Sequence, residues 1–122
     1  MKELEKVNLK NKLSLFNEHW SPKIVGELNG QYIKLVKFKG DFVWHKHDNE
    51  DEMFFVIAGS FKMLLRDKTI ELNEGECFIV PKGVEHKPVA DEEAEVMLFE
   101  PKSVLNTGNI NNELTKENLQ KI

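Results

Sequence analysis

The chain of 122 residues has a single cysteine, Cys77, so it cannot form an internal disulfide bond. This composition fits a reducing compartment. Cys77 lies in a short apolar run, where we expect a buried small hydrophobic side chain rather than a nucleophile or a ligand. The sequence also lacks any apolar run approaching the roughly 20 residues that span a bilayer. Residues 1–6 are charged and lack the apolar core of a signal peptide. We therefore expect a cytoplasmic protein without a membrane partner.

A concentration of positive charge is missing as well. The chain has 17 lysine and arginine residues against 21 aspartate and glutamate residues, which gives a formal net charge of -4 at pH 7. The lysines are spread along the chain, whereas proteins that bind nucleic acid usually present a basic face. We expect no nucleic-acid partner, and we expect a small-molecule ligand instead.

The length predicts one domain over residues 1–122. It would consist of an N-terminal arm over 1–22, a β-barrel core over 24–100 and a polar C-terminal tail over 101–122. We expect the tail to be a surface appendage, or an arm that reaches a second subunit, with a weak helix over 113–119.

The N-terminal arm has apolar residues at helical spacing: Leu9, Leu13, Phe16 and Trp20. Asn8 can cap such a helix, and Pro22 prevents its continuation. We expect one short helix or an irregular arm that lies against the barrel.

Residues 24–100 have the pattern of an all-β protein, in which short strands alternate with closely spaced turns. The expected strands are 24–28, 31–39, 42–47, 52–58, 60–66, 69–72, 77–80, 84–90 and 94–100. The pair Asn29-Gly30 predicts a tight hairpin, because both of its positions require positive φ. In residues 53–57 both parities are apolar, which predicts a strand buried on both faces. In a chain this short, such a strand favours a homodimer.

Three histidines and one glutamate form a candidate metal site in the expected barrel. His45 and His47 lie two apart on an expected strand, so both side chains point to one face. Glu52 opens the next strand, and His86 follows the turn around Pro81 and Gly83. Imidazole and carboxylate ligands suit a divalent iron, manganese, zinc, nickel, cobalt or copper ion. Phe42 and Trp44 have the opposite parity to His45, so we expect them to point away from the ion.

Each of these features alone is weak. A single histidine such as His19 is more often structural or exposed than a ligand, and the acidic residues 50–52 alone would fit a solvated turn. The joint spacing is more specific, because it resembles the two sequence motifs of the cupin superfamily. Residues 40–59 resemble the first motif, and Gly75, Pro81, Gly83 and His86 match the second.

The resemblance implies that His45, His47, Glu52 and His86 are the metal ligands. It also implies a double-stranded β-helix, an RmlC-like jelly-roll barrel. Over nearly the whole chain, the sequence is similar to the small single-domain bacterial cupins labelled mannose-6-phosphate isomerase-like. The stretches that carry this similarity are 20–22, 29–30, 80–90, 100–101 and 106–108.

Two classes of function remain open, with a third less favoured. The first is a metal-dependent enzyme acting on a small polar organic substrate, either as a sugar or keto acid isomerase or as a dioxygenase. The second is a non-catalytic module that binds or senses a metal or a small ligand. A barrel with a purely structural metal ranks third, since four protein ligands leave an octahedral ion under-filled.

No catalytic residue and no organic cofactor site can be named from the sequence. By parity, Phe54 and Val56 should face the barrel interior and make the pocket apolar. Lys34, Arg66 and Gln31 could orient a substrate, but we expect all three at the surface.

Overall fold

The structure, a computed structural model, describes residues 4–122, so the first three residues of the predicted arm lie outside the described residues. It confirms the all-β class, with one short helix in the arm. The elements are α1 (Leu9–Leu13), β1 (Lys23–Leu28), β2 (Gln31–Asp41), β3 (Glu52–Ala58), β4 (Ser60–Leu65), β5 (Thr69–Asn73), β6 (Cys77–Val80) and β7 (His86–Pro101). No helix within residues 4–122 has the length and apolar character needed to cross a membrane.

The strands form one antiparallel sheet, in which β7 pairs with β2, β3 and β4. The main path of neighbours is β1-β2-β7-β3-β6, and β4 pairs with both β5 and β7. The sequence predicted two strands, 84–90 and 94–100, where the structure has the continuous strand β7. Residues 91–93 are acidic and exposed, so their side chains are solvated while the backbone stays extended. A charged stretch that looks like a turn is therefore compatible with an uninterrupted strand.

The barrel interior is filled by one face of each central strand. On β3, Phe54 is 3% exposed and Val56 is fully buried, which confirms the predicted inward parity. The opposite face, with Met53 and Phe55, is only half-buried in this chain. Cys77 lies across from Phe55 and is exposed, so its predicted burial is wrong. Its place on the outer face of an edge strand explains the difference.

The N-terminal arm lies against the barrel, as predicted, but its helix has only five residues. The side chain of Asn8 accepts a hydrogen bond from the backbone nitrogen of Asn11 at 3.0 Å, which confirms the predicted cap. Leu13 and Phe16 pack with Leu35 in a small outer cluster. Trp20 instead joins the main core, where its ring stacks on Phe38 with centroids 4.4 Å apart.

The C-terminal tail packs on the barrel of its own chain. The backbone nitrogen of Ile24 donates to the carbonyl of Gln120 at 2.9 Å, which places the end of the tail beside β1. The helix predicted over 113–119 is wrong, because the region consists of turns and bends. Side chains of Asn106 and Asn112 bond to its backbone groups and so replace helical hydrogen bonds.

Candidate metal centre

The segment that carries His45 and His47 is not the strand predicted over 42–47. Strand β2 has an irregular register between Phe38 and Gly40 and ends at Asp41. Only one isolated bridge follows, in which His45 and His86 exchange backbone hydrogen bonds of 3.0 and 2.9 Å. This reciprocal pair places the two histidines directly opposite each other although they are far apart in the sequence.

The structure brings together all four residues that the sequence predicted as ligands. One nitrogen or oxygen from each of His45, His47, Glu52 and His86 lies within 4.8 Å of the others. The Oε1 atom of Glu52 is 3.2 Å from Nε2 of His47 and 3.4 Å from Nε2 of His86. No side chain of the four is more than 4% exposed. We refer to these four residues as the His-Glu quartet.

Backbone carbonyls orient two of the histidine rings. Nδ1 of His45 lies 2.8 Å from the carbonyl oxygen of Val43, and Nδ1 of His86 lies 2.9 Å from that of Val84. A carbonyl oxygen only accepts hydrogen bonds, so each Nδ1 carries a proton and donates it. In the neutral ring, Nε2 is then unprotonated, which is the form that binds a metal ion.

Unpaired polar atoms are concentrated at this site. Among residues 4–122, four buried side-chain atoms have no hydrogen-bond partner: Nε2 of His47, Oε1 of Glu52, Nε2 of His86 and Oε2 of Glu100. Leaving such an atom unsatisfied costs about 1–3 kcal/mol. Three of the four belong to the quartet and are donor atoms for a cation. The quartet could therefore hold a metal ion, and its imidazole and carboxylate set suits a first-row divalent ion.

The electrostatics of the quartet match this donor set. Burial lowers the pKa of His45 to about 4, and the neighbouring His86 contributes to the lowering, so the His45 ring is neutral at neutral pH. Burial raises the pKa of Glu52, but the close approach of its carboxylate to His47 and His86 outweighs the effect of burial. The net pKa of Glu52 lies well below its ordinary value, so the carboxylate is ionised.

A small cavity of about 30 Å³ adjoins the quartet. It has room for about one water molecule. Its walls are mostly apolar, and its lining residues are Trp20, Pro22, Val36, Phe38, Phe42, His45, Glu52, Phe54, Leu98 and Asn106. We refer to it as the inner cavity.

Two predictions about the surroundings of the site are wrong. Phe42 does not point away, because it is buried and its ring centroid lies 5.3 Å from that of His45. Its segment is not a regular strand, so strand parity does not apply to it.

Lys34, predicted at the surface, is 1% exposed. Arg66 is exposed as predicted, with its guanidinium 3.8 Å from the ring centroid of Trp44, while Gln31 is half-buried.

Sequence reasoning missed two charged residues of the interior. Lys34 shares its parity on β2 with Val36, and Glu100 shares its parity on β7 with Leu98. Both apolar neighbours are buried, so parity carried the signal. A charged residue at the inward position of a strand is a candidate for a buried ion pair. The structure shows such a pair here, since Nζ of Lys34 lies 3.6 Å from Oε1 of Glu100.

Residues 34–101 match the family described as "Cupin domain", which is more than half of the chain. A crystal structure of a cupin-2 domain containing protein from Shewanella frigidimarina is 49% identical, with a TM-score of 0.78. The alignment covers 79% of this chain and 94% of that one.

Two curated proteins are also similar. The pectin degradation protein KdgF of Dickeya dadantii is 35% identical over 60 residues, which are 48% of this chain and 54% of that protein. The protein YdbB of Bacillus subtilis is 33% identical over 64 residues, which are 52% of this chain and 57% of that protein. The chain thus spans little more than half the length of both.

Proposed function

This chain belongs to the cupin domain family, and we propose that its His-Glu quartet binds one divalent first-row transition-metal ion. The observation that carries the proposal is the convergence of four buried donor atoms within 4.8 Å. Three of those four residues contribute an atom that no other protein group satisfies. The donor set suits iron, manganese, zinc, nickel, cobalt and copper alike.

We further propose that the protein is a metal-dependent enzyme acting on a small polar organic molecule. A bound divalent ion would polarise substrate oxygens and stabilise the negative charge that develops on them. Four protein ligands leave two positions of an octahedral ion open, which supports a reaction at the ion. The similarity to a pectin degradation protein favours a sugar-derived substrate. An isomerase acting on a sugar or keto acid and a dioxygenase are the reaction types we propose.

The residues around the quartet would prepare the site in two ways. The carbonyls of Val43 and Val84 fix the ring orientation of His45 and His86, so little reorganisation accompanies binding. The mostly apolar walls of the inner cavity would contact the carbon skeleton of a substrate. Because the inner cavity holds about one water, a substrate must displace part of its wall. Asn106, on the C-terminal tail, is a polar residue of that wall.

A non-catalytic module that binds or senses a metal or small ligand is the second candidate. The small size of the inner cavity favours this candidate, since a volume of about 30 Å³ holds about one water molecule and no larger substrate. We also propose a homodimer, supported by the half-buried Met53 and Phe55 and by Ile79, which pairs with Met53 and is 57% exposed.

Three further assignments stay proposals. The sequence similarity over residues 20–22, 80–90 and 106–108 supports the mannose-6-phosphate isomerase-like subgroup. The packing of arm and tail on the barrel supports a single domain over residues 1–122. The composition supports a cytoplasmic location.

The test begins with protein purified without a nickel column and stripped of metal. Each candidate ion is titrated into the wild type, His86→Ala and His19→Ala. His19 pairs with Glu93 at 2.8 Å outside the quartet, so it serves as the matched control. We expect one ion per chain in the wild type and His19→Ala, with most binding lost in His86→Ala. Equal binding by all three proteins would contradict the ligand assignment.

The loaded protein is then incubated with sugars and keto acids and followed by NMR and by oxygen uptake. Catalytic turnover that requires the ion supports the enzyme. Stoichiometric ligand binding without product supports the binding module.

A further inference from the structure

A row of buried charged residues extends from the quartet across the inner face of the barrel. Its members are Glu52 on β3, Glu100 on β7 and Lys34 on β2, which are 3%, 1% and 1% exposed. Met53 pairs with Phe99, so Glu52 and Glu100 lie next to each other on the inward face. Glu100 pairs with Tyr32 on its other side, and Lys34 lies two residues further along that same face. The row therefore follows directly from strand register.

The contacts within the row are specific. Nζ of Lys34 lies 3.6 Å from Oε1 of Glu100, while Oε2 of Glu100 has no conventional hydrogen-bond partner. The register places Glu52 directly opposite Glu100 on neighbouring strands, where Cβ atoms are about 4.5–5.5 Å apart, so the two carboxyl groups are within reach of each other. On its other side, Oε1 of Glu52 lies within 3.4 Å of both His47 and His86. The Glu52 carboxyl group thus approaches His47 and His86 on one side and has Glu100 as its neighbour on the other.

A contribution to stability does not explain this arrangement. Removing two ions from water costs several kcal/mol each in real proteins, and replacing a buried ion pair by apolar residues of similar volume is often neutral or stabilising. Lys34 and Glu100 are surrounded by apolar inward residues such as Val36 and Leu98, so apolar residues would fit the same positions. What distinguishes the pair is its position beside Glu52, directly opposite Glu100 on the neighbouring strand.

We propose that the Lys34–Glu100 pair positions the carboxylate of Glu52 for metal binding, an inference that rests on the proposed metal site. The contact with Glu100 fixes the rotation of the Glu52 carboxyl group, so that Oε1 stays directed at the position between His47 and His86. Lys34 in turn holds Glu100 through its Oε1 atom. Groups that orient a metal ligand in this way typically change metal affinity by about 10–100-fold when they are removed.

Cobalt(II) is a suitable probe, because its affinity can be measured by competition with a chromophoric chelator and its visible spectrum reports on coordination. We expect Glu100→Met to weaken cobalt affinity by about 10–100-fold and to change the spectrum. Glu100→Gln keeps the shape of the side chain and can donate a hydrogen bond to Glu52, so we expect it to lose clearly less cobalt affinity than Glu100→Met. Lys34→Met should weaken binding in the same direction as Glu100→Met.

Two further variants serve as controls for the cobalt titrations. Lys102→Met removes an exposed pair with Glu27 at 3.0 Å and should leave cobalt affinity unchanged. If Glu100→Met does not fold, the double variant Lys34→Met/Glu100→Met is measured in its place. It removes both members of the pair, so neither is left as an unpaired charge in the interior. We expect the double variant to keep or exceed the urea stability of the metal-free wild type while it loses cobalt affinity.

The outcomes separate this inference from the metal-site proposal. Wild-type affinity and spectrum in Glu100→Met or in the double variant would overturn the positioning role alone. So would a loss in Glu100→Gln as large as that in Glu100→Met. A wild type that binds no cobalt, or binds it as well after His86→Ala, would overturn the metal site and this inference together.

Discussion

At Gly108 the C-terminal tail packs against the backbone that carries His45 and His47 of the His-Glu quartet. It has φ of +57° and lies against the backbone between His45 and His47. A Cβ atom at this position would overlap the carbonyl oxygen of Lys46 and would lie 3.2 Å from Cδ2 of His45. The neighbouring Asn109 holds the same segment, since Lys46 and Asn109 exchange hydrogen bonds of 2.9 and 3.1 Å. We therefore expect Gly108→Ala to disturb the fold and the site together.

The expected loss has two parts. A non-glycine residue at left-handed φ costs roughly 1–2 kcal/mol, and forcing an extra methyl group against backbone costs about 1–3 kcal/mol more. The total is on the order of 2–5 kcal/mol, combining these two ranges. With an unfolding entropy of about 2.1 cal/mol/K per residue, the melting temperature should fall by roughly 8–20 °C.

Gly75→Ala is the matched control. Gly75 has φ of +84°, and a Cβ atom there would meet nothing within 4 Å. Only the backbone cost of roughly 1–2 kcal/mol should remain. Urea unfolding of the metal-free proteins measures the stabilities, and cobalt titration measures the site, where only Gly108→Ala should weaken binding. Equal stability losses in the two variants, with unchanged cobalt affinity in both, would refute the claim that the tail packs tightly on the metal centre.

Three further predictions concern pH, metal removal and the arm. The pKa of His45 falls from 6.5 to about 4 on folding, so the unfolded chain binds more protons between these values and stability falls as the pH drops. When the pH falls from about 7 to about 5, the free energy of unfolding of the metal-free wild type should decrease by about 2 kcal/mol more than that of His45→Gln. Equal decreases in urea unfolding would contradict this. Removing a metal present at 100 times its dissociation constant should lower the free energy of unfolding by about 2.7 kcal/mol, provided that the ion does not bind the unfolded chain. Calorimetry of the loaded and the metal-free protein measures this difference. Asn8→Ala should cost about 1 kcal/mol, and an unchanged urea midpoint would show that the cap is unimportant.

Local patterns predicted much of the fold. Alternation on β3 correctly placed Phe54 and Val56 inside, and Asn29-Gly30 correctly predicted a hairpin with positive φ at both positions. Patterns failed where tertiary contacts decide the local structure. The segment 42–47 forms one bridge to His86 instead of a strand, a contact that no local pattern reveals.

The convergence of the four candidate ligands was predictable from the sequence, whereas their surroundings were not. Motif spacing identified all four members of the quartet, because the geometry of the barrel fixes which positions converge. Lys34 was expected at the surface, since lysine is almost never buried without a partner. Its partner Glu100 lies 66 positions away by chain number, on a strand that pairs with β2 only in the folded barrel.

Anomalous diffraction from crystals of metal-loaded protein shows directly whether the His-Glu quartet holds the ion. We expect one strong peak inside the barrel for each chain. This peak should lie about 2.0–2.2 Å from a nitrogen of His45, His47 and His86 and from a carboxylate oxygen of Glu52. A loaded protein whose anomalous peak lies elsewhere, with these four side chains uncoordinated, would contradict this expectation.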